Sequence, residues 1–308
     1  MVGLLKPDCA AGHAAPAWSR ERELFEAFVY ASVSAIELRD PGTAGHSFRV
    51  AVLTTSLAMA IDSAQTPELR HVKFGRDDVE QLKYASLLHD FGKLAIPESV
   101  LGKARRLPRE RRVIIEDRIG RAELAGALSE CSADDLRRFL EQADDPQGRA
   151  SKLTRERRVL EKSGLLDAAD VAYLRIERGS LSPSERALIQ SHVDKSAEFL
   201  RNLPWPATLT RVPAIAAAHH ERLDGSGYPR GATRITIEAR ILAICDIYDA
   251  LVSSDRPYRA AVPHGRAMDE LTAMRDSGKI DAAVLECFVD RRIHRTLRRV
   301  LPDRPGTR

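Results

Sequence analysis

Only four cysteines occur in the 308 residues, Cys9, Cys131, Cys245 and Cys287. They lie far apart, without the paired spacing of a zinc site or the density of a disulfide-stapled secreted scaffold, so a reducing cytoplasm is the expected compartment. Long hydrophobic runs are missing too. No stretch approaches the roughly 18 uninterrupted apolar residues that span a bilayer, and Lys6, Pro7 and Asp8 interrupt any signal-like centre near Met1. Membrane insertion is therefore not expected. Strand-like alternation is nearly absent. No glycine-rich run ends in Gly-Lys-Ser/Thr, which removes a P-loop, and nothing supports a Ser-His-Asp triad. Nor does any stretch read as a sensor or receiver domain.

The charge is almost balanced, 48 Lys and Arg against 44 Asp and Glu, and the net +4 is dispersed. Binding to a nucleic-acid polymer is not implied, whereas a small anionic substrate is compatible. With 44% apolar and 30% charged residues, the chain can build a sizeable core under a solvated surface.

Helical periodicity organises what is present. Residues 1–19, rich in Ala, Gly and Pro, read as a flexible N-terminal tail. A helix follows from Ser19 through Leu24, Phe25, Phe28, Val29 and Ile36 to the breaker Asp40-Pro41-Gly42. A second carries His46, Val50, Leu53, Leu57 and Ile61, and a third runs from Asp77 into His89-Asp90-Phe91-Gly92-Lys93. Between Lys103 and Ser180 charge density rises and apolar residues thin out, so residues 104–180 read as a helical insertion. Its start, Leu107 to Arg118, echoes Leu181 to His192; two similar amphipathic helix starts account for the echo slightly better than a local duplication. Beyond it come a helix through Phe199 and Leu200, an apolar helix from Val212 into His219 and His220, and the loop Asp224-Gly225-Ser226-Gly227-Tyr228-Pro229. A helix from Ile235 to Leu251 carries Asp246. The expectation is an all-α helical bundle: a first part at 20–103, the insertion, a second part at 181–290, and a C-terminal helix and tail at 291–308.

Five of the nine histidines sit in or beside apolar helical patterns. A lone buried imidazole is usually a hydrogen-bonded core residue, but a cluster is costly to satisfy unless metal ions do so. The adjacent His89 and Asp90 suit two divalent ions, because a carboxylate has two oxygens and can bridge them. Two ions about 3.5–4 Å apart hold a shared hydroxide and grip phosphate oxygens, which suits phosphoester hydrolysis. Lys93 would add a cation where phosphoryl charge develops. Gly92 beside it reads as a helix terminator.

These residues resemble the HD superfamily of phosphohydrolases and, within it, the HD-GYP family of cyclic dinucleotide phosphodiesterases. The resemblance rests on His89-Asp90-Phe91-Gly92-Lys93, on His192 after Leu-Ser-Pro-Ser-Glu-Arg, and on the block from His219 to Pro229. Asp246, Asp249-Ala250-Leu251 and Asp255-Arg256-Pro257-Tyr258-Arg259 extend it, so that it covers about residues 30–290 outside the insertion.

The resemblance implies the HD helical bundle and hydrolysis of cyclic di-GMP to linear pGpG, and onward to GMP. It implies that His46, His89, Asp90 and Asp246 hold one metal ion, and Asp90, His192, His219 and His220 the other, with iron or manganese the expected ions. Lys93 would contact the scissile phosphate. Arg256 and Arg259 would contact phosphates or guanine, although interhelix salt bridges account for them equally well. Gly227, Tyr228 and Pro229 would shape the pocket rim and dock partners such as a diguanylate cyclase domain. Some members bind a third ion through a glutamate four residues before the first histidine; Gly42 stands there, so two ions are expected, with Asp40 and Glu37 one layer outside. Glu221, Arg222, Asp224 and Asp249 are expected to orient the histidines. The family's glycine four residues after the middle histidine is Ser196 here. A non-catalytic scaffold that reads cyclic dinucleotides is the alternative in another class, with control by a separate protein or by homodimerisation.

Overall fold

The structure is a computed structural model describing residues 17–128, 131–146, 155–253 and 261–297. All regular elements among them are helical, in keeping with the all-α expectation. In chain order they are α1 (Ala17–Arg39), α2 (His46–Asp62), α3 (Arg76–Leu88), α4 (Glu98–Leu101), α5 (Arg109–Leu124), α6 (Ala133–Asp144), α7 (Arg155–Lys162), α8 (Ala168–Leu174), α9 (Pro183–Gln190), α10 (His192–Arg201), α11 (Val212–Ala216), α12 (Ile237–Val252), α13 (His264–Asp276) and α14 (Ala282–Asp290). Two compact units result, one from the chain before Ile96 and after Ile189, the other from Ile96–Ile189.

In the first unit the periodicity read from the sequence becomes the core. Val50, Leu53, Leu57 and Ile61 recur at helical spacing along α2, which packs against α3 and α12. They share one buried cluster with Leu82, Ala85 and Leu88 and with Ile241, Leu242 and Cys245. Each Val, Leu or Ile side chain among them contributes roughly 1.5–3 kcal/mol on burial. Local chemistry fixes the helix starts. Asp78 accepts from the Gly75 amide at 2.9 Å ahead of α3, and Asp281 accepts from Val284 N at 3.1 Å to cap α14. α1 starts two residues before Ser19, within the usual fraying of a helix end.

Two differences from the sequence reading bear on the site. The helix expected to run from Val212 into His219 and His220 ends at Ala216, and both histidines lie in the turns that follow. Ser191 separates α9 from α10, so His192 opens a helix instead of continuing one.

The second unit has its own core, with Ile115 and Ile119 of α5, Leu136, Phe139 and Leu140 of α6, and Leu160 of α7. Both echoing segments enter helices: α5 after Pro108 and α9 at Pro183. The unit's two ends meet. Lys103 Nζ lies 2.8 Å from Glu185 Oε2 and 4.2 Å from the Tyr173 ring centroid, and the Ser180 hydroxyl donates to Lys103 O at 2.8 Å.

Candidate metal centre

Helix ends, more than helix bodies, supply the site. His46 opens α2, His89 caps the end of α3, and Asp90 leads into the turn Phe91–Ala95 that carries Lys93. His192 opens α10, His219 and His220 follow α11, and Asp246 projects from the middle of α12. His46, His89, Asp90, His192, His219 and Asp246 are buried, and His220 is half-buried.

These seven side chains converge. Asp90 Oδ1 lies 3.1 Å from His192 Nε2, while Oδ2 lies 3.5 Å from His89 Nε2 and 2.8 Å from Lys93 Nζ. The carboxylate thus turns one oxygen to each side, as a bridge between two ions requires. Asp246 Oδ1 is 3.2 Å from His46 Nε2 and 3.7 Å from His89 Nε2, and its Oδ2 is 4.0 Å from His220 Nδ1. Three donor groups have ligand atoms within 4.8 Å of one another: His46, His89 and Asp90; His192, His219 and His220; and His89, His219 and Asp246. The third joins residues that the family resemblance divides between two ions.

The hydrogen bonding shows that this donor set fits cations. His89 Nδ1 donates to Ser86 O at 2.7 Å, and His219 Nδ1 to Ala216 O at 2.6 Å. Because a carbonyl only accepts, each Nδ1 carries the proton and each Nε2 is left with its lone pair. Both Nε2 atoms are buried without a hydrogen-bond partner. Such a loss costs about 1–3 kcal/mol per atom unless a ligand makes it good.

Electrostatics point the same way. Burial pushes His219 far below its ordinary value, assisted by His220 and His89, and pushes His220 down to about 3 against the attraction of Asp246. Burial would raise both carboxyls. Lys93 and His89 overcome it at Asp90, and His46 and His89 at Asp246, so both are held well below the usual range. His46 differs from His219 and His220: burial lowers it, but Asp246 and Asp249 outweigh burial and raise it to about 9. Two buried carboxylates beside His219 and His220, both kept neutral by burial, form a donor set for divalent ions.

The surrounding residues divide into those the sequence pointed to and those it did not. Asp249 accepts from His46 Nδ1 at 2.7 Å, the orienting part expected of it. Asp40 Oδ2 stands 3.3 Å from Lys93 Nζ, beside the site. Glu221 behaves differently from the expectation: its carboxylate accepts from Arg230 N at 2.9 Å and from Ala232 N at 2.8 Å, so it shapes the loop and not a histidine. Tyr228 of that loop lies over His220, ring centroids 4.7 Å apart. A Cβ on Gly227 would come within 2.4 Å of Arg222 N, so only glycine lets the loop fold back here.

Gly92 does not end a helix as expected: α3 stops at Leu88 and Gly92 lies inside the 3-10 turn Phe91–Ala95, where a close contact requires it. A Cβ there would sit 2.0 Å from His192 O, so the close approach of the Asp90 turn to α10 requires glycine. Gly92 N also donates to the buried Ser196 hydroxyl at 2.7 Å. Ser196 therefore joins the segment of His89 and Asp90 to that of His192, a part that its small size concealed. Arg49, also passed over in the sequence, grips Asp249. Arg256 and Arg259 lie outside the described residues.

Models of the HD domain match residues 43–171 and 140–284. The chain is 28% identical over 265 residues to the 3′3′-cGAMP-specific phosphodiesterase 3 of Vibrio cholerae, a match covering 85% of this chain and 37% of that protein. It is 34% identical over 113 residues to a cyclic di-GMP phosphodiesterase of Pseudomonas aeruginosa, covering 36% and 26%. A cyclic di-GMP phosphodiesterase of Thermotoga maritima is 37% identical over 117 residues, covering 37% and 31%. The chain thus spans little more than a third of the length of these relatives, or less. Among the described residues no helix is long and apolar enough to cross a membrane.

Proposed function

We propose that this chain, which belongs to the HD-GYP branch of the HD domain family, hydrolyses a 3′,5′-cyclic dinucleotide in the cytoplasm, with cyclic di-GMP the first substrate and linear pGpG the product, open to further cleavage to GMP. The observation that carries this reading is the pair of buried Nε2 atoms on His89 and His219 that make no hydrogen bond, beside Asp90 and Asp246. His46, His89, Asp90 and Asp246 would hold one divalent ion and Asp90, His192, His219 and His220 the other. Two such ions, iron or manganese, supply Lewis acidity toward the phosphate and lower the pKa of water.

The chain's own groups do the rest. In the reaction a water oxygen bonds to phosphorus as the bond from phosphorus to the ribose 3′-oxygen breaks, and that oxygen leaves with a proton. Lys93 Nζ, held by Asp90 and Asp40, donates to a phosphate oxygen and offsets charge developing there. Asp249 keeps the proton on His46 Nδ1. Gly227, Tyr228 and Pro229 form the rim against His220 and dock a diguanylate cyclase domain, and Arg256 and Arg259 contact the dinucleotide; a homodimer is the functional assembly. The long match to a 3′3′-cGAMP-specific enzyme runs through the inserted unit, which makes cyclic GMP-AMP the second substrate to test.

The test assays protein loaded with manganese or ferrous iron on cyclic di-GMP, cyclic GMP-AMP and pGpG, beside Asp90→Ala. Loss of Asp90, which would hold both ions, removes several kcal/mol of charge stabilisation, expected as a drop of about 10³-fold in kcat/KM. Equal turnover by the two proteins rejects the enzymatic reading. Binding without turnover replaces it with the scaffold reading, and three ions per chain overturn the two-ion assignment drawn from Gly42.

A further inference from the structure

One part-buried ion pair near the site joins Asp249 to an arginine that the assignments above leave without a role. Arg49 lies one turn into α2, three residues past His46. Its Nε donates to Asp249 Oδ1 at 2.8 Å and its Nη2 to Asp249 Oδ2 at 3.0 Å, a two-pronged grip on a fully buried carboxylate. Nη2 donates also to the Ser253 hydroxyl at 2.7 Å, and Nη1 to Ala44 O at 2.9 Å. Ser253, at the end of α12, donates in turn to Asp249 Oδ2 at 3.1 Å.

The guanidinium therefore ties three places together: the main chain just before His46, the carboxylate on α12, and the residue closing that helix. Asp249 accepts the His46 Nδ1 proton through the same Oδ2 that Arg49 and Ser253 hold. Free to rotate, a carboxylate would let the imidazole turn or change tautomer; with both oxygens fixed, it cannot.

We propose that Arg49 is the positioning residue of the His46 side of the metal centre, acting through Asp249, with Ser253 as its second anchor. This rests on the metal assignment of the proposed function but not on the identity of the substrate. The role needs the planar fork of arginine, since a lysine keeps the charge but offers a point donor that cannot hold both oxygens in one plane. Partners one layer outside a metal typically change its affinity by about 10–100-fold.

Manganese titration of the full chain, followed by electron paramagnetic resonance, tests it without any substrate. In Arg49→Lys the affinity for one of the two ions is expected to fall about 10-fold or more while the other ion binds as in the wild type, and Ser253→Ala gives a smaller loss at the same ion. Arg211→Lys is the control for loss of an arginine paired with a buried carboxylate elsewhere, since Arg211 pairs with Glu238; it leaves both affinities unchanged. Circular dichroism verifies that each variant is folded. Unchanged manganese affinity in folded Arg49→Lys, or equal weakening of both ions, overturns the inference and leaves the proposed function standing. Wild-type protein that binds two ions and cleaves no cyclic dinucleotide does the reverse.

Discussion

In the unit formed by Ile96–Ile189, the buried carboxylates Asp144 and Asp170 are met by opposite charge and by main chain. Asp144, fully buried, accepts from Leu107 N at 2.7 Å and from Arg112 at 3.0 Å. Asp170 accepts from Arg111 at 2.7 Å and from Asp167 N at 3.0 Å. In the other unit, His89 and His219 are anchored at one nitrogen and present the other, buried and without a hydrogen bond, to a common space. An interior that closes its own polar groups serves the fold. One that leaves lone pairs aimed inward carries a cost of folding that only a ligand repays, and the contrast separates structure from function within one chain.

The comparison breaks most easily at Gly92. Gly92→Ala must push the Asp90 turn off α10, and a displacement of roughly 1 Å is enough to cost more than about 10²-fold in kcat/KM; a normal rate would mean that the close approach to His192 is dispensable. Lys93→Met is expected to lower kcat by about 10²-fold with metal content unchanged, and a rise confined to KM would assign Lys93 to binding alone. Asp144→Asn touches only the second unit. It should cost about 2 kcal/mol of stability, because Arg112 loses its charged acceptor, yet leave metal stoichiometry as it was; depleted metal would erase the division drawn between the units. The smallest effect belongs to Ser196→Ala, about 1 kcal/mol from the unpaired Gly92 amide, read as a lowered melting temperature.

Much of this was legible in the chain. Helical spacing placed α2, α3 and α12, and the residues now found around one buried centre were marked by histidines on apolar patterns and by the Gly-Tyr-Pro block. What escaped has a common physical cause. Arg49 meets Asp249 across 200 positions, and Gly92 meets Ser196 across 104; neither partner carries a local sign of the other. The end of α11 at Ala216 was hidden for another reason, since apolar periodicity continues through residues whose backbone leaves the helix to aim two imidazoles. Glu221 was misjudged because its neighbours in sequence are histidines, whereas its carboxylate reaches forward nine and eleven residues to the loop.

The clasp of Lys103, Ser180 and Glu185 has a bearing on how such a chain can change over time. Because the polypeptide departs and returns at nearly the same point, the stretch between can lengthen, shorten or be exchanged while its two stems stay where they are. Loop closure adds only about 0.6 kcal/mol for each doubling of length. A doorway of this kind lets the inserted unit change in length without rebuilding the histidine cluster carried by the other.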